Sequence, residues 1–140
     1  MSEYTDAVAA LQRVDRVERA ALRGSSWYAR YLLVFGVTQL MFVPVFLLWT
    51  SMTVFVVALS VFLLMVAALI VYAIQQRAVR RNFGLRHSIT IGSWALVHTA
   101  MMTLVGLGGL RGSVPFAVGG ALACATPPLV GALLEKRRAA

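Results

Sequence analysis

Apolar side chains fall along this chain in four long runs, with short polar interruptions between them. The runs occupy about 27–49, 52–74, 89–110 and 114–134. Each is long enough, at 1.5 Å per residue, to cross a hydrocarbon layer of about 30 Å. The first and second runs are separated only by Thr50 and Ser51, and the third and fourth only by a glycine-rich GGLRGS stretch. Such short links leave room for nothing but antiparallel neighbours, so the pattern predicts two tight helical hairpins. The sequence therefore reads as an all-α membrane protein, a four-transmembrane-helix bundle.

Ahead of the first run the period changes. In residues 3–23, apolar side chains recur at Tyr4, Val8, Leu11, Val14, Val17 and Ala21, which is the stripe of an amphipathic helix. Gly24, Ser25 and Ser26 supply a stop. Arg13, Arg16, Arg19 and Arg23 are balanced by Glu3, Asp6, Asp15 and Glu18. A helix held electrostatically on anionic lipid would be rich in Lys and Arg, so this one is expected to pack on the protein's own cytoplasmic loops or on a partner helix. The chain thus divides into an amphipathic helix and linker (1–26), a membrane domain (27–134) and a basic tail (135–140). No apolar segment lies near Met1, so the first span is expected to act as its own insertion signal.

Composition agrees with the pattern. Hydrophobic residues make up 60% of the 140 and charged residues 13%, against about 45–50% and about 25% in soluble domains. The net charge of +8 forms no continuous basic face and implies no nucleic-acid partner. Instead, charge sets topology. Twelve of the thirteen basic residues flank the spans on one side, with Arg111 alone on the other. The positive-inside rule puts the larger set, and with it both termini, in the cytoplasm. The expected location is a bacterial inner membrane, in a single orientation. Trp27 and Tyr28 are expected to mark one membrane interface and Trp49 the other.

Candidate chemistry is sparse. No Asp, Glu, Lys or Arg falls inside the apolar core of any span, which removes the usual means of coupling transport to an ion. Three polar side chains, Gln39, His98 and Cys124, lie at about the same depth in the first, third and fourth spans. A buried polar group in hydrocarbon needs a partner, so a Gln39–His98 hydrogen bond is expected, with interhelical adhesion as its default role. Pro44 would free the carbonyl of Leu40 beside it. His98 and Met102 at i,i+4, level with Cys124, offer soft ligands suited to copper(I). Methionine in apolar helices ordinarily packs, however, and no metal or cofactor is expected. Haem held by two histidines fails within one chain, since His87 lies about 16 Å from His98 along a helix.

Gly92, Ala95, Thr99, Thr103 and Gly106 form a small-residue stripe on the third span. Gly119, Gly120, Ala121, Ala123 and Ala125 do the same on the fourth. Small faces let helices approach closely, and these two are expected to face each other, or else to form a homo-oligomer interface. Pro127–Pro128 is expected to kink the fourth span. Arg77, Arg80, Arg81 and Arg86, in the connector after the second span, are candidate contacts for lipid headgroups. Arg30, Gly36 and Leu40 recur as Arg86, Gly92 and Leu96 at a constant offset, a hint of duplication. With no catalytic motif present, the chain is expected to be non-enzymatic: an accessory, assembly or regulatory subunit acting through partner contacts. The alternative is an oligomeric small-solute transporter or channel with a polar midplane.

Overall fold

The structure, a computed structural model, describes residues 7–16, 26–76 and 83–139. Among them there is no strand. Helix α1 covers 7–16, followed by α2 (Ser26–Leu48), α3 (Met52–Ile74), α4 (Phe83–Gly108) and α5 (Val114–Ala139). The last four are all long and apolar enough to cross a membrane, and the chain is a multi-pass membrane protein.

Two boundaries depart from the apolar runs. Helix α4 begins at Phe83, not at 89, and α5 continues to Ala139, so the basic tail is helical through 139. Backbone hydrogen bonds do not depend on side-chain hydropathy, and Arg, Lys and Glu are good helix formers. A helix can therefore run past the end of its apolar run. The four long helices alternate in direction, as ring and backbone contacts show. Trp27 at the start of α2 meets Tyr72 near the end of α3 and Phe83 at the start of α4. At the opposite end the Gly112 N–H donates to the Leu47 carbonyl at 2.9 Å. Gly109 and Gly112 have φ of 60° and 85°, a left-handed backbone that glycine adopts without steric cost.

The core is an α2–α5 seam, with α4 packed on α5 and α3 on α2. Helix α2 buries Leu32, Phe35, Gly36, Gln39, Val43 and Leu47 along one stripe. Against it α5 buries Ala117, Gly120, Ala121, Cys124, Ala125, Pro128 and Ala132. The small residues on α5 are what allow the approach. A Cβ on Gly36 would lie 2.7 Å from Leu129 Cγ, and one on Gly131 would lie 2.9 Å from Leu32 Cδ1. The α5 helix runs unbroken through Pro127 and Pro128; Pro128 is fully buried.

Helix α3 is the outlier. It is the most apolar of the four, yet it buries only Ala58 and Leu69. Phe42 and Phe46 of α2 meet Phe62, and Phe46 also meets Phe55, along its one packed side. Lipid is as apolar as leucine, so an exposed apolar helix costs nothing in a bilayer.

Trp27 and Tyr28 are each 5% exposed, inside an aromatic cluster with Tyr72, Phe83 and His87, so they pack between helices at the end of the spans where α2 begins. Trp49, by contrast, is exposed. Every residue of α1 is exposed, including Val8, Leu11 and Val14; the connector between α3 and α4, a cytoplasmic loop on which it is expected to pack, lies outside the described residues between 77 and 82. The repeat pairs also part company. Gly36 presses on Leu129 while Gly92 meets nothing within 4 Å, and Leu40 packs on the core while Leu96 is exposed.

Candidate functional site

Helices α2, α4 and α5 bring the polar layer together near the middle of the spans, though not as the sequence suggests. His98 sits one turn after Trp94 on α4 and stacks on its indole, with centroids 5.3 Å apart. Trp94 in turn meets Phe35 of α2 edge-on at 5.0 Å. Beyond Trp94, His98 turns toward α5, where Nδ1 lies 3.8 Å from Cys124 Sγ. Cys124 is fully buried, and its thiol also lies 3.9 Å from Met101 Sδ. The methionine in this layer is thus Met101, while Met102 is exposed.

Gln39 makes no hydrogen bond to His98. It is 1% exposed, and its Nε2 finds no acceptor among the described residues. The reason is the packing: α4 lies mainly against α5, which carries the His98 ring toward Cys124. Trp94 Nε1 is likewise buried without an acceptor. The neighbouring Thr38 satisfies itself by donating to the Val34 carbonyl at 2.8 Å, and its hydroxyl contacts Met65 Sδ at the same distance. Two buried N–H groups without acceptors and a loose S···N contact make a weakly bonded layer. A single S–H···N contact at this distance contributes little, and adhesion comes from ring stacking and the close α2–α5 fit.

The small-residue stripe of α4 does not face α5. Gly92, Ala95, Thr99, Thr103 and Gly106 are all exposed, and a Cβ on Gly92 or Gly106 would meet nothing within 4 Å. On α5, Gly120, Ala121 and Ala125 are buried, Gly120 against Met101 of α4, whose Sδ lies 2.6 Å from a Cβ built there, while Gly119 and Ala123 are exposed. The α4 stripe therefore points away from the rest of the described chain.

Among the connector arginines, Arg77, Arg80 and Arg81 lie outside the described residues. Arg86 is within α4, where Nη1 donates to Glu135 Oε1 at 2.9 Å. The Glu135 side chain is 9% exposed and the Arg86 side chain 35%, so the pair joins α4 to α5 at the end where the basic residues gather. Sequence reasoning missed this ion pair, although there was a signal. Glu135 is the only acidic residue beyond position 18, and it sits at the margin of an apolar run.

No known protein family, no curated protein and no solved structure matches the chain. Any functional reading rests on its own residues.

Proposed function

We propose that this chain is a non-catalytic subunit of a bacterial inner membrane, a four-helix bundle of two hairpins with both termini cytoplasmic. It acts by helix–helix contact with a partner protein as an accessory, assembly or regulatory component. The outward stripe on α4 carries this reading. In lipid, helices associate through close backbone approach at small residues, because no hydrophobic force separates protein from solvent. Gly92, Ala95, Thr99, Thr103 and Gly106 supply such a face over about four turns, and nothing in the described chain covers it. The exposed Val8, Leu11 and Val14 of α1 would give the partner a second point of contact outside the bilayer. Charge placement supports the orientation.

A photo-crosslinking amino acid at Thr99 or Thr103, compared with one at Leu64 of α3 or Leu104 of α4, tests the reading in native membranes. Adducts with a different protein, confined to the stripe, are expected. Adducts only with further copies of the chain would move the assignment to the oligomeric transporter or channel. Equal labelling at all four positions would refute a dedicated face.

A further inference from the structure

The soft side chains at mid-span converge on one point. His98 and Met101 are three residues apart on α4 and share a face, and Cys124 of α5 stands opposite them. Its Sγ lies 3.8 Å from His98 Nδ1 and 3.9 Å from Met101 Sδ. Cys124 is fully buried and Met101 is 5% exposed, while His98 is half-buried. Gly120, one turn before Cys124, makes room for the thioether, since a Cβ there would stand 2.6 Å from Met101 Sδ. The Trp94 indole stacks on the imidazole at 5.3 Å and fixes its orientation.

Hydrogen bonding explains this arrangement poorly. One thiol proton cannot bond a nitrogen and a sulfur at once, and at these lengths sulfur bonds contribute little. A shared cation accounts for both contacts. With metal bonds of about 2.3 Å to sulfur and about 2.0 Å to imidazole nitrogen, ligands opened at about 120° stand about 3.7 Å (N to S) and about 4.0 Å (S to S) apart. The two observed separations are close to these.

We propose that His98 Nδ1, Met101 Sδ and Cys124 Sγ form a three-coordinate copper(I) site that links α4 to α5 at mid-span. Thioether, thiolate and imidazole are the soft donors that copper(I) prefers. Charge decides against a divalent ion. Cys124 binds as the thiolate, its proton released to water, so copper(I) with one thiolate and two neutral ligands carries no net charge. Zinc(II) in the same place would leave one positive charge in hydrocarbon, which is costly. Nor is there, among the described residues, a group of three His, Cys, Asp or Glu side chains to hold a metal, as a structural zinc site requires. The copper enters and stays as copper(I), and His98, the least buried of the three ligands, marks the way in. Sequence spacing pairs His98 with Met102, but Met102 is exposed and Met101 takes its place. The proposal does not depend on the partner reading of α4.

The experiment uses the full chain, purified in dodecyl maltoside under anaerobic, reducing conditions. Copper(I) is titrated in against the chelating dye bicinchoninate, and tryptophan fluorescence follows melting. One copper(I) per chain should be retained, with a higher melting temperature than the metal-free protein. X-ray absorption at the copper edge should show two sulfurs and one nitrogen. Zinc(II) at the same concentration should be neither retained nor stabilising. Cys124→Ala and His98→Ala should abolish retention. Met101→Leu is close in volume and is expected to fold; it should weaken copper(I) binding roughly 10–100-fold, what even the outer-shell partners of a metal are worth. Met102→Leu should leave binding unchanged, and circular dichroism of each metal-free variant separates lost ligation from lost fold. Failure of the unaltered chain to retain copper(I), undiminished retention by Cys124→Ala or Met101→Leu, or equal losses in Met101→Leu and Met102→Leu would overturn the proposal.

Discussion

Valine introduced at Gly36 and at Gly92 makes the same chemical change in two opposite settings. At Gly36 the first added carbon would stand 2.7 Å from both Cγ and Cδ2 of Leu129, with the Leu129 backbone nitrogen at 3.5 Å. Ordinary carbon contacts need about 3.5–4.0 Å, so an overlap of about 1 Å must be relieved. Because Cγ is the branch point of Leu129, rotating the end of the side chain does not clear it. Either Leu129 leaves its rotamer or α2 and α5 move apart along their closest seam. Overpacking of this kind costs about 1–3 kcal/mol, and valine's two methyl groups put Gly36→Val at the upper end. At Gly92 no heavy atom lies within 4 Å, and replacing a helical glycine by β-branched valine returns about 0.3 kcal/mol. The two variants should therefore differ by about 2–3 kcal/mol in equilibrium unfolding in mixed micelles of dodecyl sulfate and dodecyl maltoside, followed by tryptophan fluorescence. The partner reading adds a second readout: Gly92→Val should weaken crosslinking at Thr99 although its fold is intact. Two variants equal within 0.5 kcal/mol would refute the α2–α5 approach at Gly36. A destabilised Gly92→Val would show that the α4 stripe packs inside the protein.

Three further outcomes follow from the geometry. Gln39→Leu removes a buried amide whose Nε2 has no acceptor, so unfolding stability should be unchanged or should rise by about 1 kcal/mol; a loss of that size would mean the amide is bonded in the membrane. Gly112→Ala places a side chain at φ +85° beside the turn that donates to the Leu47 carbonyl, and should cost about 1–2 kcal/mol in the same titration. Arg86→Glu should destabilise by about 2 kcal/mol, since its partner is shielded while Arg86 itself is about one-third exposed. Adding Glu135→Arg to that variant should restore most of the loss, and a double variant no better than the single one would exclude the ion pair as the link between α4 and α5.

The residues legible from sequence alone share a physical basis: each involves contrast with the bilayer. Four apolar runs of spanning length had to become helices, because hydrocarbon offers a backbone no other hydrogen-bond partner. The GGLRGS link had to be a turn, and two of its residues, Gly109 and Gly112, adopt the left-handed backbone that glycine supplies. Where contrast is missing, the sequence is silent. Within a membrane span the core-facing and lipid-facing sides are equally apolar, so hydropathy does not encode which side packs. Only the tertiary structure decided that Gly120, Ala121 and Ala125 of α5 turn inward while Gly119, Ala123 and the α4 stripe face outward. The same limit governs the polar layer. Depth along the helices placed Gln39, His98 and Cys124 level with one another, but the rotation of each helix about its axis determines which of them meet. Packing of α4 on α5 turned His98 to Cys124 and left Gln39 Nε2 without an acceptor. Arg86 and Glu135 lie 49 residues apart, and only the packing of α4 on α5 makes them a pair.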